Sequence, residues 1–326
     1  MIQQFRNLNF INILLLLILL IILRIEIFMH LPNNVNSGFL ELFSRLLIPL
    51  NIKDDLSPTL NITLAGLIVF SQALLFNRII NNLNVLGKSS FIPALFYIIC
   101  SSVFSPFLLL SPPLICNYFI LFIIHKILQA YKESVSISSL FDLGLVVAIG
   151  TIFYFPFVLF LVLLWASLII LKPFNWREWI GALIGYLTIV FFLGVYYFWN
   201  GHLLDFYEIW KPLSNKFPFY IKINVMDYIV LLPIVIVMIL GFLQIRQNFF
   251  RSYILIRKFL QLVFFVFVIA ALSFYLKSDF RINHFLLCVI PVSTLLSYYF
   301  ITAKKKWAYE SFFLIIVGFI IYFQFF

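Results

Sequence analysis

The chain has 326 residues, 64% hydrophobic and 20% aromatic, with only 10% charged and 22 Lys and Arg against 12 Asp and Glu. A soluble domain carries about a quarter charged residues, and a charged surface this sparse would leave large apolar patches facing water. The composition therefore excludes a soluble enzyme and argues for an all-α, polytopic transmembrane helix bundle, a single integral-membrane domain over 1–326. Cys100, Cys116 and Cys288 lie in or beside apolar runs without CxxC spacing, so they read as small buried hydrophobes. The abundance of Phe, Ile, Asn and Lys is that of a low-GC bacterial genome.

The first apolar run, Phe10 to Leu23, follows Arg6 and continues through "LRIEIFMHLPNN" without a small-x-small cleavage site, so it reads as an uncleaved first span. With ~20 residues needed to cross a ~30 Å core, the apolar segments resolve into about eleven spans. They fall near 10–28, 60–77, 91–105, 114–131, 140–154, 155–172, 179–199, 227–244, 259–276, 284–302 and 311–326. Pro156 alone punctuates the fifth and sixth.

Between the first two spans, 29–59 forms a long outer loop. In "SGFLELFSRLLIPL" the residues Phe39, Phe43, Leu46, Leu47 and Leu50 recur at helical spacing, which predicts an amphipathic helix in the membrane surface. "PALFYIICSSVFSPFLLLSPPL" brackets a short span with Pro93, Pro106, Pro112 and Pro113, the pattern of a broken helix lining a cavity. In "KPFNWREW", Asn175 and Glu178 have the spacing of a capping box that opens the seventh span. The second outer loop, 200–226, is rich in aromatics suited to the headgroup belt.

Alternate loops differ in charge. One set holds fourteen Lys and Arg with four acids, the other eight with eight. By the positive-inside rule the first set is cytoplasmic. The N-terminus is then inside, the C-terminus periplasmic, and the protein multi-pass in a bacterial inner membrane. The net +10 is a topology signal that calls for no nucleic acid, and anionic lipids at the inner face are the expected partners.

Soluble catalytic signatures are absent: there is no Walker-type loop, dinucleotide turn, HExxH or nucleophile elbow. The four histidines are dispersed, so no metal site and no cofactor are expected. What remains is a distribution, with acids gathered on the outer side and Arg281 with His284 just before the tenth span. Such an arrangement suits a lipid-phosphate substrate: a carboxylate takes a proton from an incoming hydroxyl while a cation holds the leaving phosphate. Equally, Asp279 and Arg281 would simply solvate a tight loop.

The order of features resembles the GT-C superfamily of membrane glycosyltransferases, which take sugars from polyprenyl-phosphate carriers. The resemblance rests on the Arg closing the first span in "LRIEIF", the long acidic outer loop, the Pro-punctuated "GKSSFIPALFYIICSSVFSP", and the basic residue before an apolar Pro helix in "RINHFLLCVIPVSTLL". It implies a GT-C-like fold, with Glu41, Asp54 and Asp55 as catalytic base candidates and Arg281 and His284 holding the substrate phosphate. The superfamily's early Asp is missing, and Glu41 is the loop's first acid. The chain also resembles a multi-pass membrane family of Bacteroidota. Glu26, near Arg24, reads as half of an interfacial ion pair.

Two other functions stand beside glycosyl transfer. One is a non-catalytic membrane subunit or anchor of an envelope assembly or secretion machine, with a membrane protein as partner. The other is a transporter or flippase, for which the spans supply Ser71, Gln72, Asn77, Asn117 and Ser273 as polar groups at depth.

Overall fold

The computed structural model describes residues 2–32, 57–133, 137–171, 174–210, 228–276 and 282–325, which form helices joined by turns, with no strand among them. In chain order the α-helices are α1 (Ile2–Phe5), α2 (Ile11–Ile22), α3 (Ile25–Met29), α4 (Pro58–Asn82), α5 (Ile92–Cys100), α6 (Pro112–Glu133) and α7 (Ile137–Phe153). They continue with α8 (Phe160–Leu171), α9 (Trp176–Trp199), α10 (Leu203–Trp210), α11 (Leu231–Asn248), α12 (Ile254–Ser273), α13 (Val289–Thr302) and α14 (Lys306–Phe325). Tighter 3₁₀ segments interrupt them at Ser105–Leu108, Phe155–Leu159, Phe274–Leu276 and Ile282–Cys288.

Seven helical segments are long and apolar enough to cross a membrane: Pro58–Asn82, Pro112–Gln129, Trp176–Trp199, Leu231–Arg251, Ile254–Leu276, Ile282–Thr302 and Lys306–Phe325. Three further apolar stretches, Ile11–Ile22, Ile137–Phe153 and Phe155–Leu171, are shorter, and α5 has only nine residues. At 1.5 Å per residue α5 is ~13 Å long, less than half a bilayer core. It survives because protein surrounds it: every residue from Ile92 to Cys100 is buried. Phe96 stacks on Phe300 at 4.4 Å and meets Phe313 edge-on at 6.4 Å, joining α5 to α13 and α14. The broken helix expected to line a cavity is therefore the centre of the core.

Hydrogen bonds between distant elements sort the bundle into two ends. At one, the Arg6 guanidinium donates to the carbonyls of Phe300 (2.6 Å) and Ala303 (3.1 Å) and lies 4.5 Å over the Tyr309 ring. There too the amide of Phe91 donates to the Phe5 carbonyl, and Lys258 caps the last carbonyl of α8, at Leu171 (3.0 Å). At the other end, Arg24 reaches Ile62 and Leu108, Tyr154 meets His284, and Gln324 donates to Ser102 (2.8 Å). Arg78, Lys88, Lys126, Arg177, Arg246, Arg251, Arg257 and Lys304–Lys306 all fall near helix ends on the Arg6 side. Arg24 stands at the opposite end.

Local chemistry accounts for the boundaries. Ser57 caps α4 by accepting from the Leu60 amide, with Pro58 at the first helical position. Asn175 caps α9 by accepting from the Arg177 amide, and its side-chain amide donates to Glu178 (3.3 Å), so the expected pair meets side chain to side chain. Tyr154, with φ −149° and ψ 107°, breaks the chain just before Phe155–Leu159 and separates the fifth and sixth apolar segments. After α9, α10 folds back so that Phe206 packs on Tyr197 and Trp210. The expected surface helix of 29–59 lies outside the described residues.

α7 and α9 touch backbone to backbone. A Cβ on Gly144 would lie 2.1 Å from the Ala182 carbonyl oxygen, and one on Gly185 would lie 2.1 Å from that of Phe141. Small residues permit this approach where lipid supplies no hydrophobic drive between helices. Gly185→Ala should therefore destabilise the fold by about 1–3 kcal/mol, the usual range for overpacking. Gly318→Ala, where a Cβ meets nothing within 4 Å, should leave it unchanged. Thermal melting of the two variants in the same detergent checks the contrast.

Candidate functional site

The polar groups of the Arg24 end hold irregular backbone together. Asn61 accepts from the Leu110 amide (2.9 Å), fixing the chain that enters α6. Gln72 donates to the Leu114 carbonyl (2.7 Å) and accepts from the Tyr97 hydroxyl (2.9 Å). Asn117 donates to the Leu286 carbonyl (3.0 Å). Of the residues that could have lined a transport path, Gln72 and Asn117 are engaged with backbone carbonyls, Ser71 with the Ile68 carbonyl and Tyr118, and Ser273 with the Ala270 carbonyl and His284.

Arg24 is unlike these. It follows α2, is only 2% exposed, and lays its stem, beside Leu20, against Gly66 of α4. Nη1 donates to the carbonyls of Leu108 (2.7 Å) and Ile62 (3.3 Å). Nε and Nη2 are buried with no hydrogen-bond partner, and among the described residues no carboxylate pairs with the guanidinium. Glu26, expected beside it, is instead 3.8 Å from His30, one turn further along. A buried cation with two idle donors is costly unless an anion compensates it, and it is the group that sequence reasoning passed over. Its signal was a lone Arg closing an apolar run.

His284 lies in Ile282–Cys288, a segment that packs against Ser105–Leu108. It is buried, with Nδ1 2.6 Å from the Tyr154 hydroxyl and Nε2 2.8 Å from the Ala270 carbonyl and 3.2 Å from Ser273 Oγ. A carbonyl can only accept, so Nε2 carries a proton, and in the neutral ring Nδ1 accepts from Tyr154. Both ring nitrogens are thus occupied by protein groups, and a phosphate at His284 would have to displace one of them. Glu41, Asp54, Asp55 and Arg281 lie outside the described residues. In sequence, the segment bearing the three acids falls between α3 and Ser57, the cap of α4.

Larger hollows lie elsewhere. One of about 630 Å³ lies between α4 and α6, and a second of about 630 Å³ is lined by Arg246, Gln261, Phe264 and Pro291. Near the Arg24 end, the hollow among Thr151, Phe155, Tyr186 and Trp210 holds about 10 Å³. Among the described residues no three of His, Cys, Asp and Glu come close enough to hold a metal ion.

Fold and site together define a polytopic α-helical membrane protein in which a cation, Arg24, is buried at one end with no carboxylate partner among the described residues. Residues 33–326 match the profile of DUF6427, a family of unknown function, and the chain belongs to that family. No curated protein and no solved structure matches the chain.

The His284 knot is testable. Tyr154→Phe removes the donor to Nδ1 and should cost about 1–3 kcal/mol, the price of a buried acceptor left unmet. Titration with denaturing detergent against wild type measures it.

Proposed function

We propose that this protein holds a phosphate-bearing polyprenyl lipid at the outer end of an eleven-span bundle and presents its sugar for transfer in envelope glycan assembly. The observation that carries the reading is Arg24, buried with Nε and Nη2 unused. A lipid phosphate supplies the missing charge and acceptor oxygens, and a guanidinium matches it with two parallel N–H groups. In this reading a carboxylate from Glu41, Asp54 or Asp55 takes the proton of the acceptor hydroxyl. The hydroxyl oxygen bonds to the anomeric carbon, and the lipid phosphate leaves with the electrons of the broken C–O bond. Arg24, with Arg281, steadies the charge that develops on that phosphate. His284 positions the Ile282–Cys288 segment from within. The excess of basic residues at the Arg6 end supports the orientation, with that end cytoplasmic.

A second reading, a non-catalytic membrane subunit, is favoured by Asn61, Gln72, Asn117 and His284, polar side chains that are all engaged with protein groups.

Thermal shift with polyprenyl phosphate, and with the corresponding polyprenol as control, tests the binding. The phosphate should stabilise the wild type and the alcohol should not. Arg24→Met removes a buried charge but leaves the Leu108 and Ile62 carbonyls without this donor, so its stability should stay within about 1–3 kcal/mol of wild type, while it loses at least about tenfold in affinity for the phosphate. Equal stabilisation by the alcohol, or full binding by Arg24→Met, overturns the phosphate site. If binding holds, Glu41→Gln, Asp54→Asn and Asp55→Asn, assayed for sugar release from a lipid-linked donor, separate the readings. Loss of turnover with binding retained marks the enzyme. Binding without turnover in the wild type marks the subunit.

A further inference from the structure

α4 and α6 run in the same direction: Asn61 meets Leu110, Ser71 hydrogen-bonds Tyr118, and residues later in each helix approach the Arg6 end together. Between them, closed on one side by Val146 of α7, lies the groove of about 630 Å³. Its lining changes along its length. Toward the middle of the bundle it is Leu75, Tyr118, Phe119 and Phe122. One to two turns nearer the Arg6 end it is Arg78, Asn82 and His125. Arg78, Asn82 and His125 are all exposed, and among the described residues neither Arg78 nor His125 has a carboxylate partner. The carboxylate closest in register, Asp142, sits one turn before Val146 on α7, is exposed, and is not part of the lining.

A groove that is apolar over its deep part and cationic at one mouth has the polarity of a single lipid molecule. We propose that it is a binding site for an acidic phospholipid of the leaflet on the Arg6 side. Arg78 and His125 meet the headgroup phosphate, Asn82 donates to a headgroup oxygen, and an acyl chain lies along Leu75, Phe119 and Phe122. The apolar floor selects a lipid over a free phosphate, because acyl burial adds to the ionic contact. The site is independent of Arg24, which lies at the opposite end.

Native mass spectrometry of the full chain in mild detergent, titrated with phosphatidylglycerol or phosphatidylcholine, tests it. One phosphatidylglycerol should bind per chain at lower concentration than phosphatidylcholine. The double variant Arg78→Gln/His125→Gln should lose at least about tenfold in that affinity. Leu75→Trp, which keeps the charges and fills the acyl end, should lose it to a similar degree and decides the matter if the double variant does not fold. Lys304→Gln/Lys305→Gln should bind as wild type, and soluble glycerol phosphate should not compete. Unchanged binding by Leu75→Trp, equal loss in the lysine control, or displacement by glycerol phosphate would overturn the site. Arg24→Met should leave it intact, so failure here and failure of the outer site are distinguishable.

Discussion

A backbone amide or carbonyl inside lipid must find its partner within the protein, and that demand shapes this molecule more than any other. Regular helices meet it internally. This chain breaks helices repeatedly, at Ser101–Ser111, at Tyr154, and in the 3₁₀ segments Phe274–Leu276 and Ile282–Cys288, and each break frees backbone groups. Side chains from neighbouring helices take them up: Asn61 for Leu110, Asn117 for Leu286, Gln324 for Ser102. Removing these amides would leave carbonyls and amides stranded in hydrocarbon. The polar residues scattered through the spans are thus the fasteners of an irregular core, and the nine-residue α5 can sit at its centre because its neighbours meet the hydrogen-bonding demand on both sides.

Arg24 belongs to the same set and exceeds it. One of its nitrogens does the work of an amide, bridging the carbonyls of Ile62 and Leu108. The remainder of the guanidinium has neither acceptor nor counter-charge among the described residues. A fastener needs no charge, since a neutral donor would serve there at lower desolvation cost. The charge and the idle nitrogens separate Arg24 from His284, both of whose ring nitrogens meet protein groups.

The two ends of the bundle consequently have different characters. The Arg6 end is fringed with cations, of which Arg6 and Lys258 contact carbonyls at helix ends, an arrangement that suits anionic headgroups and helix dipoles. The Arg24 end is a packed knot of short helical turns with one buried cation. The match to DUF6427 begins at residue 33, so it takes in the bundle from α4 onward but neither Arg6 nor Arg24.

Much of the secondary structure was legible in the chain itself. Apolar runs marked the helices because a bilayer requires them, Pro and Asn marked their starts, and the unequal loops marked two sides. The site was less legible. Hydropathy registers that Arg24 ends an apolar run, but burial and idle donors depend on Gly66, Ile62 and Leu108 converging from distant elements. His284 read as a free cation beside Arg281, and only the meeting of Tyr154, Ala270 and Ser273 around its ring shows it to be internal. The sequence by itself determined that the chain is helical, membrane-embedded and basic on one side, because those properties are set residue by residue by transfer into lipid. Tertiary structure decided which polar groups are spent on backbone and which remain available, because hydrogen-bond partners come from residues far apart in the chain.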